Sequence, residues 1–311
     1  MRIVYMGTPE FAVPPLRALL DAGIYDVVAA VTQPDRPAGR GHKLTPCPVK
    51  LLAQERGVPV YQFERIKSAE GVACLRELAP DLMVTAAFGQ ILSQEILDIP
   101  KHGTVNVHAS LLPKYRGSAP INWCILNGET VAGVTTMLTD AGMDTGDMLM
   151  KSETPIGEME TAGELTARLS ELGARLLIDT LKRYPDGNLT PTPQNPDEAS
   201  YQPMLQKEMG RIDWSRSAQE IANQVRGLNP WPCAYTENEG GRLKIYLARP
   251  CPARGEAEPG TVAVSGAKEG LFVACGEGWL EILEMQAPNA KRMAAKAYLQ
   301  GKRIEIGTKF M

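Results

Sequence analysis

Three side chains, far apart in a chain of 311 residues, could together move an acyl group. Asn106 and His108 stand two apart in TVNVHA, residues 104–109, and Asp144 lies between two glycines in DAGMDTGDM, residues 140–148. A strand alternates faces, so the amide and the imidazole point the same way, about 7 Å apart. Attack of an amine on an acyl carbon creates a tetrahedral oxyanion and an ammonium. The oxyanion needs preorganised donors, which an Asn amide and a protonated His supply. The ammonium must lose a proton, and a carboxylate beside a His can take it or hold the ring charged. No Ser or Cys stands in a nucleophile elbow, which favours direct transfer over a covalent intermediate. A plainer alternative stays open for each group: a strand-end Asn and His can serve only loop backbone, and an acidic glycine turn can be merely solvated. Asp140 and Asp147 read equally well that way. For Asp144, the neighbouring Met143 with Gly142 and Gly146 argues for an ordered, inward-facing loop.

The surrounding pattern is one that could hold such a site. RIVYM (2–6), YDVVAAV (25–31), VPVYQ (58–62), DLMVTAA (81–87) and TVNVHA read as strands. PPLRALLDAG (14–23), PVKLLAQERG (48–57) and SAEGVACLRELA (68–79) between them have helical spacing and end near Gly or Pro. Such alternation predicts a Rossmann-like α/β fold, a mostly parallel sheet covered on both faces. Open sheets of that kind place ligands at the carboxyl ends of their strands, where Asn106 and His108 fall. Two further strands flank the glycine turn at 140–148, and residues 161–184 read as a long helix whose Thr161 and Glu164 are spaced as a capping box. A proline-rich stretch follows and reads as a connector. Beyond it come a capped helix at 217–227 and short strands separated by turn signals, which predict a small β-barrel. The expected division is a first domain at 1–188, a linker at 189–207 and a barrel domain at 208–311.

Composition excludes several classes. A hydrophobic share of 44% and a charged share of 22% are ordinary for a globular protein. No apolar run approaches the ~18 residues of a membrane span, and MRIVYMGTPEF turns polar too soon for a signal peptide. The six cysteines are scattered with no CxxC, so free thiols, a reducing cytoplasm and no metal site are expected. Net charge is −3, with 14 Lys and Arg against 12 Asp and Glu in residues 208–311; that segment is near +2 and the rest near −5. Any case for a nucleic-acid partner therefore rests on local patches. YMGTPEF runs from strand to glycine turn to helix, but it lacks GxGxxG and the acidic residue that would hold a ribose, so a nicotinamide cofactor is not expected.

NVHASLLPKYRG (106–117), with GMDTGD (142–147) after it, resembles the signature of the 10-formyltetrahydrofolate-dependent formyltransferases. The resemblance implies Asn106, His108 and Asp144 as the catalytic set, with 10-formyltetrahydrofolate as formyl donor. It implies folate contacts at the turn Ser110, Leu111, Leu112 and Pro113. AAFGQIL (86–92) resembles the segment lining that family's pterin pocket, which implicates Phe88, Gln90, Ile91 and Leu92; a plain strand–loop–helix junction is the open alternative for each.

The acceptor is the remaining question. QPDRPAGRGHKLTPCPVK (33–50) carries Arg36, Arg40, His42, Lys43 and Lys50 against Asp35, and its glycines and prolines predict an irregular loop. A charge run is usually a solvated surface, but a loop this long inside an α/β unit is more often functional. Basic and irregular, it could order on a phosphate backbone. It resembles the insertion with which the tRNA-directed branch of the family engages the acceptor end, which implies tRNA contacts from Arg36, Arg40 and Lys43. YMGTPEFAVPPL, RIDW (211–214) and RGLNPWPCAY (226–235) extend the resemblance along essentially the whole chain. The activity implied is formylation of the α-amino group of methionine on initiator methionyl-tRNA, by a monomer without membrane attachment. Two rivals stay open: a folate-dependent formyltransferase for another amine, on an amino-sugar nucleotide or glycinamide ribonucleotide, and a formyltetrahydrofolate hydrolase. The first needs neither the long basic loop nor the barrel; the second releases formate with no acceptor present.

Overall fold

The apolar runs of the first half fold as strands of one sheet, seen in a computed structural model describing residues 1–38 and 43–311. In chain order its elements are β1 (Arg2–Gly7), α1 (Val13–Asp21), β2 (Asp26–Thr32), β3 (Arg36–Ala38), β4 (Lys43–Thr45), α2 (Pro48–Glu55), β5 (Val60–Gln62), α3 (Ala69–Leu78), β6 (Leu82–Ala86), α4 (Gln94–Leu97) and β7 (Thr104–His108). There follow β8 (Arg116–Gly117), α5 (Pro120–Leu126), β9 (Val131–Leu138), β10 (Met148–Pro155), α6 (Ala162–Leu181) and β11 (Tyr201–Gln202). The seven-stranded sheet has the order β10-β9-β7-β6-β1-β2-β5. Pairing is parallel from β7 through β6 and β1 to β2 and β5, and β9 runs antiparallel to β7. The expected Rossmann-like sheet is therefore present, with an antiparallel addition beside the strand that carries Asn106 and His108.

Why the strands read as unbroken apolar runs is visible in their burial. β1 from Ile3 to Met6 and β6 from Leu82 to Val84 are fully buried, because helices cover both faces. One core cluster joins Val4, Met6, Val31 and Met83 to Val72 and Leu75 of α3. Ser68 caps that helix by accepting from the Gly71 amide at 3.2 Å. Truncating the fully buried Leu75 to Ala should cost about 2–5 kcal/mol.

Contacts divide the chain into two units that interleave in sequence: residues 1–117, 132–154 and 166–202 form one, and residues 118–131, 155–165 and 203–311 the other. In the second, α7 (Ala218–Gly227) is capped by Ser217 and Glu220 as the sequence predicts. β12 (Ala234–Asn238), β13 (Gly241–Cys251), β14 (Val262–Gly266), β15 (Gly270–Ala274), β16 (Trp279–Gln286), β17 (Met293–Ala294) and α8 (Ala295–Gly301) complete it. The strands pair antiparallel in the order β12-β13-β16-β15-β14, with β17 on β16, giving the barrel-like domain expected. Register shifts in β13 let that long strand bend around the core. Ile221 and Val225 of α7 pack there with Ile245, Leu271, Leu280 and Met285.

The basic loop departs from expectation. Arg36–Ala38 and Lys43–Thr45 pair as a short antiparallel ribbon, where the prolines predicted irregular chain. A two-stranded ribbon has an outward edge on each strand, so Pro37 can sit in it without leaving a ladder bond unmade. Arg40 and His42 lie outside the described residues.

Candidate active site

Alternation along β7 sets the site. Val107 faces α6, whose Gly173 approaches so closely that a Cβ there would lie 2.8 Å from Val107 Cγ1. Asn106 and His108 therefore occupy the opposite face, at the carboxyl end of the strand, as predicted. Thr85 of the neighbouring β6 donates from its hydroxyl to Asn106 Oδ1 at 2.9 Å. That fixes the oxygen as acceptor and leaves the Nδ2 amino group with no protein partner among the described residues. The amide is thus held and its donors are uncommitted.

His108 is 6% exposed. Its Nε2 lies 3.0 Å from the Tyr115 carbonyl oxygen. A carbonyl only accepts, so Nε2 must carry a hydrogen, and Nδ1 is the nitrogen that gains or loses the exchangeable proton. Nδ1 faces Asp144 Oδ1 at 3.6 Å. The other carboxylate oxygen, Oδ2, accepts from the Gly117 amide at 2.8 Å. Asn106 and His108, and His108 and Asp144, are thereby brought together, as the sequence reading expects.

The loop carrying Asp144 is built for that approach. Asp144 itself takes φ +55°, a left-handed conformation that Asp tolerates better than most residues. A Cβ on Gly146 would fall 1.9 Å from the Leu138 carbonyl oxygen, so only glycine fits. Asp140 takes the plain role left open for it: its carboxylate accepts from the Gly142 amide at 3.1 Å and from the Thr145 hydroxyl at 2.8 Å, closing an exposed turn. The backbone oxygen of Asp147 accepts from the Leu138 amide at 2.8 Å.

Sequence reasoning missed a set of supports in the proline-rich stretch before β11. Gln194 Nε2 donates to the backbone oxygens of Asp144 at 2.8 Å and Gly146 at 2.7 Å. Gln194 Oε1 accepts from Arg116 Nε at 2.9 Å and Nη2 at 2.7 Å. Arg116 is 5% exposed, and its Nη1 donates to the Tyr201 hydroxyl at 2.9 Å. β11 pairs with β8, and Ser200 bonds the backbone of Tyr115 and Arg116. Local polarity alone signals none of this; the proline-rich composition signals a connector instead.

The residues implicated in folate binding divide by side chain. Ser110 is buried, and its hydroxyl donates to the Lys114 carbonyl oxygen at 2.7 Å. Thr135 of β9 donates to the Ser110 carbonyl at 2.7 Å and accepts from the Leu112 amide at 3.2 Å, pinning the turn. Leu112 and Pro113 are buried, while Leu111 is half-buried. Phe88 and Leu92 join the core cluster around Ile66 and Ile96. Gln90 spends its amide on the Ile66 amide and the Phe63 carbonyl, at 2.7 and 2.9 Å. Ile91 alone of this group is exposed, at 68%.

In the basic loop, Arg36 pairs with Glu64 through two bonds of 3.2 and 2.7 Å, both partners mostly exposed. Such a pair contributes little and can be exchanged for a phosphate. Lys50 is 2.7 Å from Asp35, and hydrogen bonds from Lys50 and then Gln62 hold the Asp35 carboxyl below its usual range. Lys43 lies on β4. Among the described residues, no helix is long and apolar enough to cross a membrane and no group of three His, Cys, Asp or Glu stands ready for a metal ion.

Two family models match: one described as formyl transferase over residues 1–181, and one described as formyl transferase, C-terminal domain, over residues 204–303. A methionyl-tRNA formyltransferase of Geobacter sulfurreducens is 52% identical over 309 residues, covering 99% of this chain and 96% of that protein. One of Acetivibrio thermocellus is 51% identical over 308 residues, covering 99% and 98%. Among solved structures, WlaRD, a sugar 3N-formyl transferase crystallised in the presence of dTDP and 5-N-formyl-THF, superposes with a TM-score of 0.67 at 20% identity, covering 94% of this chain and 99% of its own. HypX of Aquifex aeolicus in complex with tetrahydrofolic acid gives 0.63 at 18%, covering 96% and 47%. Those two likenesses concern the fold. With both domains matched, and relatives this similar from end to end, the chain belongs to the formyl transferase family, among the methionyl-tRNA formyltransferases.

Proposed function

We propose that the chain transfers the formyl group of 10-formyltetrahydrofolate to the α-amino group of methionine on initiator methionyl-tRNA. The observation that carries this reading is the convergence of Asn106, His108 and Asp144 at one strand end, in a chain about half identical throughout to proteins named for that reaction. The half-buried Asn106 side chain is held, its amino group has no protein partner among the described residues, and that group suits an acyl oxygen. An amine attacking the formyl carbon turns that oxygen into an oxyanion, which Asn106 Nδ2 meets as a hydrogen-bond donor. An α-amino group titrates near pH ~8, so a useful fraction is neutral at working pH and no strong base is needed. As the new C–N bond forms, the attacking nitrogen sheds a proton and the departing folate nitrogen must gain one. His108 Nδ1 is the ring position able to relay it, since Nε2 is committed to Tyr115 O. Asp144 steadies the imidazolium in between.

Arg36, Arg40 and Lys43 serve the acceptor in this reading, where the exposed Arg36–Glu64 pair can yield to a phosphate. Folate meets the turn at Ser110–Pro113 and the 86–92 segment. With Phe88, Leu92 and Gln90 engaged inside the protein, that contact falls to backbone groups and to Ile91. Incubation with labelled 10-formyltetrahydrofolate and charged initiator tRNA should place label on the methionine nitrogen. Formate released equally with and without tRNA, and no labelled methionine, would replace the transferase with a hydrolase.

A further inference from the structure

Gln194 makes four bonds that tie the loop of Asp144 to Arg116, and nothing in the chemistry above uses them. Its neighbours extend the tie in both directions. Thr192 exchanges two backbone bonds with Met148, each 2.8 Å, where β10 begins. Farther along, the Ser200 backbone bonds both ways, receiving from Arg116 N at 2.8 Å and donating to Pro113 O at 3.3 Å. Residues 192–202 thus run as a strap from the root of β10, past the Asp144 loop, to the segment 113–117.

That segment supplies two of the bonds that orient the acid and the ring: Gly117 N to Asp144 Oδ2, and Tyr115 O to His108 Nε2. The strap therefore touches both sides of the His108–Asp144 pair and neither member's side chain. Arg116 shows how much depends on it. A guanidinium 5% exposed has as partners among the described residues the oxygens of Gln194 and Tyr201 and the Tyr201 ring, 5.5 Å away, with no carboxylate among them. A buried cation without an anion is costly unless its donors are satisfied, and Gln194 takes two of them in a forked geometry. Gly117 is also fitted to the strap. At φ +91°, a Cβ there would lie 2.8 Å from Gln202 O.

We propose that Gln194, with Arg116, is a positioning residue for formyl transfer: the strap sets the distance between the Asp144 carboxylate and His108 Nδ1. The proposal rests on the transferase reading above. Near 3.6 Å a small displacement of the loop separates the pair, and misplacement of a reacting group by about an ångström can lower a rate about 100-fold.

The test is a double-mutant cycle in the formylation assay, with wild type as the reference. Gln194→Ala should lower kcat about 100-fold, with KM for formyl donor and for tRNA within about threefold, because its side-chain bonds go to the protein's own loop and to Arg116. On an Asp144→Asn background, read in single turnover with excess enzyme, the same substitution should lower the rate less than about threefold, since the charge it positions is gone. A merely structural role would give the same proportional loss on both backgrounds, and that result overturns the proposal; so does wild-type kcat in Gln194→Ala. Gln194→Glu keeps the side-chain volume and the grip on Arg116 but loses both donors to the Asp144 loop. If the alanine variant is insoluble, the glutamate variant carries the same two expectations and the same refutation. A wild-type protein that places no formyl group on methionine fails the transferase reading, and is thereby distinct from a failure of the strap.

Discussion

Gly146→Ala is the sharpest perturbation of the Asp144 loop. The added methyl would lie 1.9 Å from the Leu138 carbonyl oxygen, 2.9 Å from its carbon and 3.3 Å from Asp140 N. All three are backbone atoms, and Leu138, the last residue of β9, is tied by its N–H to Asp147 O beside the start of β10. Ordinary van der Waals separation requires the loop to move by roughly an ångström or more. Asp144, two residues away, then loses its 2.8 Å bond from Gly117 N or its approach to His108. The expected outcome is a kcat lower by about 100-fold, or ~2.7 kcal/mol of transition-state stabilisation, beside an overpacking cost of about 1–3 kcal/mol in stability.

Gly142→Ala is the matched control. Its methyl would meet Thr145 Oγ1 at 2.0 Å, the far end of a side chain that can rotate away at the loss of its bonds to Asp140. Activity there should stay within about tenfold of wild type, the loss of one or two exposed hydrogen bonds. Steady-state formylation kinetics with urea unfolding of each variant separate the two terms. A Gly146→Ala enzyme within threefold of wild type, or a Gly142→Ala enzyme equally impaired, would refute the view that backbone fit sets the carboxylate.

Other expectations concern separate parts of the chain. His108→Ala should lower kcat by about 10²–10³-fold, as loss of a preorganised electrostatic group does, while tRNA affinity by filter binding stays put; an unchanged rate removes the ring from the mechanism. Arg40→Ala should raise KM for tRNA and leave folate binding by fluorescence intact, and unaltered tRNA kinetics would count against the basic loop. Burial pushes the Cys124 and Cys275 thiols up to about 12. The nucleophilic thiolate is therefore scarce at pH ~8 and appears only as pH climbs toward that value. Iodoacetamide at pH ~8 should spare both in the native protein and label both in urea, whereas equal rates in the two states would contradict their burial.

What was legible in the sequence followed from periodicity and local chemistry. Alternation in TVNVHA placed Asn106 and His108 on one face, and the capping box at Thr161 and the capped helix expected at 217–227 marked real helix starts. Less legible was anything decided by a partner far along the chain. Resemblance implicates Phe88 and Leu92 in the pocket, and their packing in a core cluster depends on residues as distant as Val4 and Val31, which no local pattern names. Composition made residues 189–207 a connector, because polar, proline-rich chain shows no periodicity even when the backbone of Thr192 and Ser200 is bonded to the sheet and the 113–117 segment. Gln194 reaches partners 48 to 78 residues away, a separation that no window of sequence spans.

The same limit bears on the chemistry itself. Residue types and spacing name an imidazole and an acid, but which ring nitrogen faces the acid is decided by the Tyr115 carbonyl, a group every residue possesses. Because that oxygen can only accept, it commits Nε2 and turns Nδ1 toward Asp144, which in the proposed mechanism leaves the oxyanion to the Asn106 amide. Tyr115 is held in turn by the Ser200 hydroxyl at 2.8 Å, so the choice of nitrogen traces back to the strap. The proposed trio is written in two short motifs; the orientation that brings His108 and Asp144 together is written in backbone groups and in a stretch that reads as mere connection.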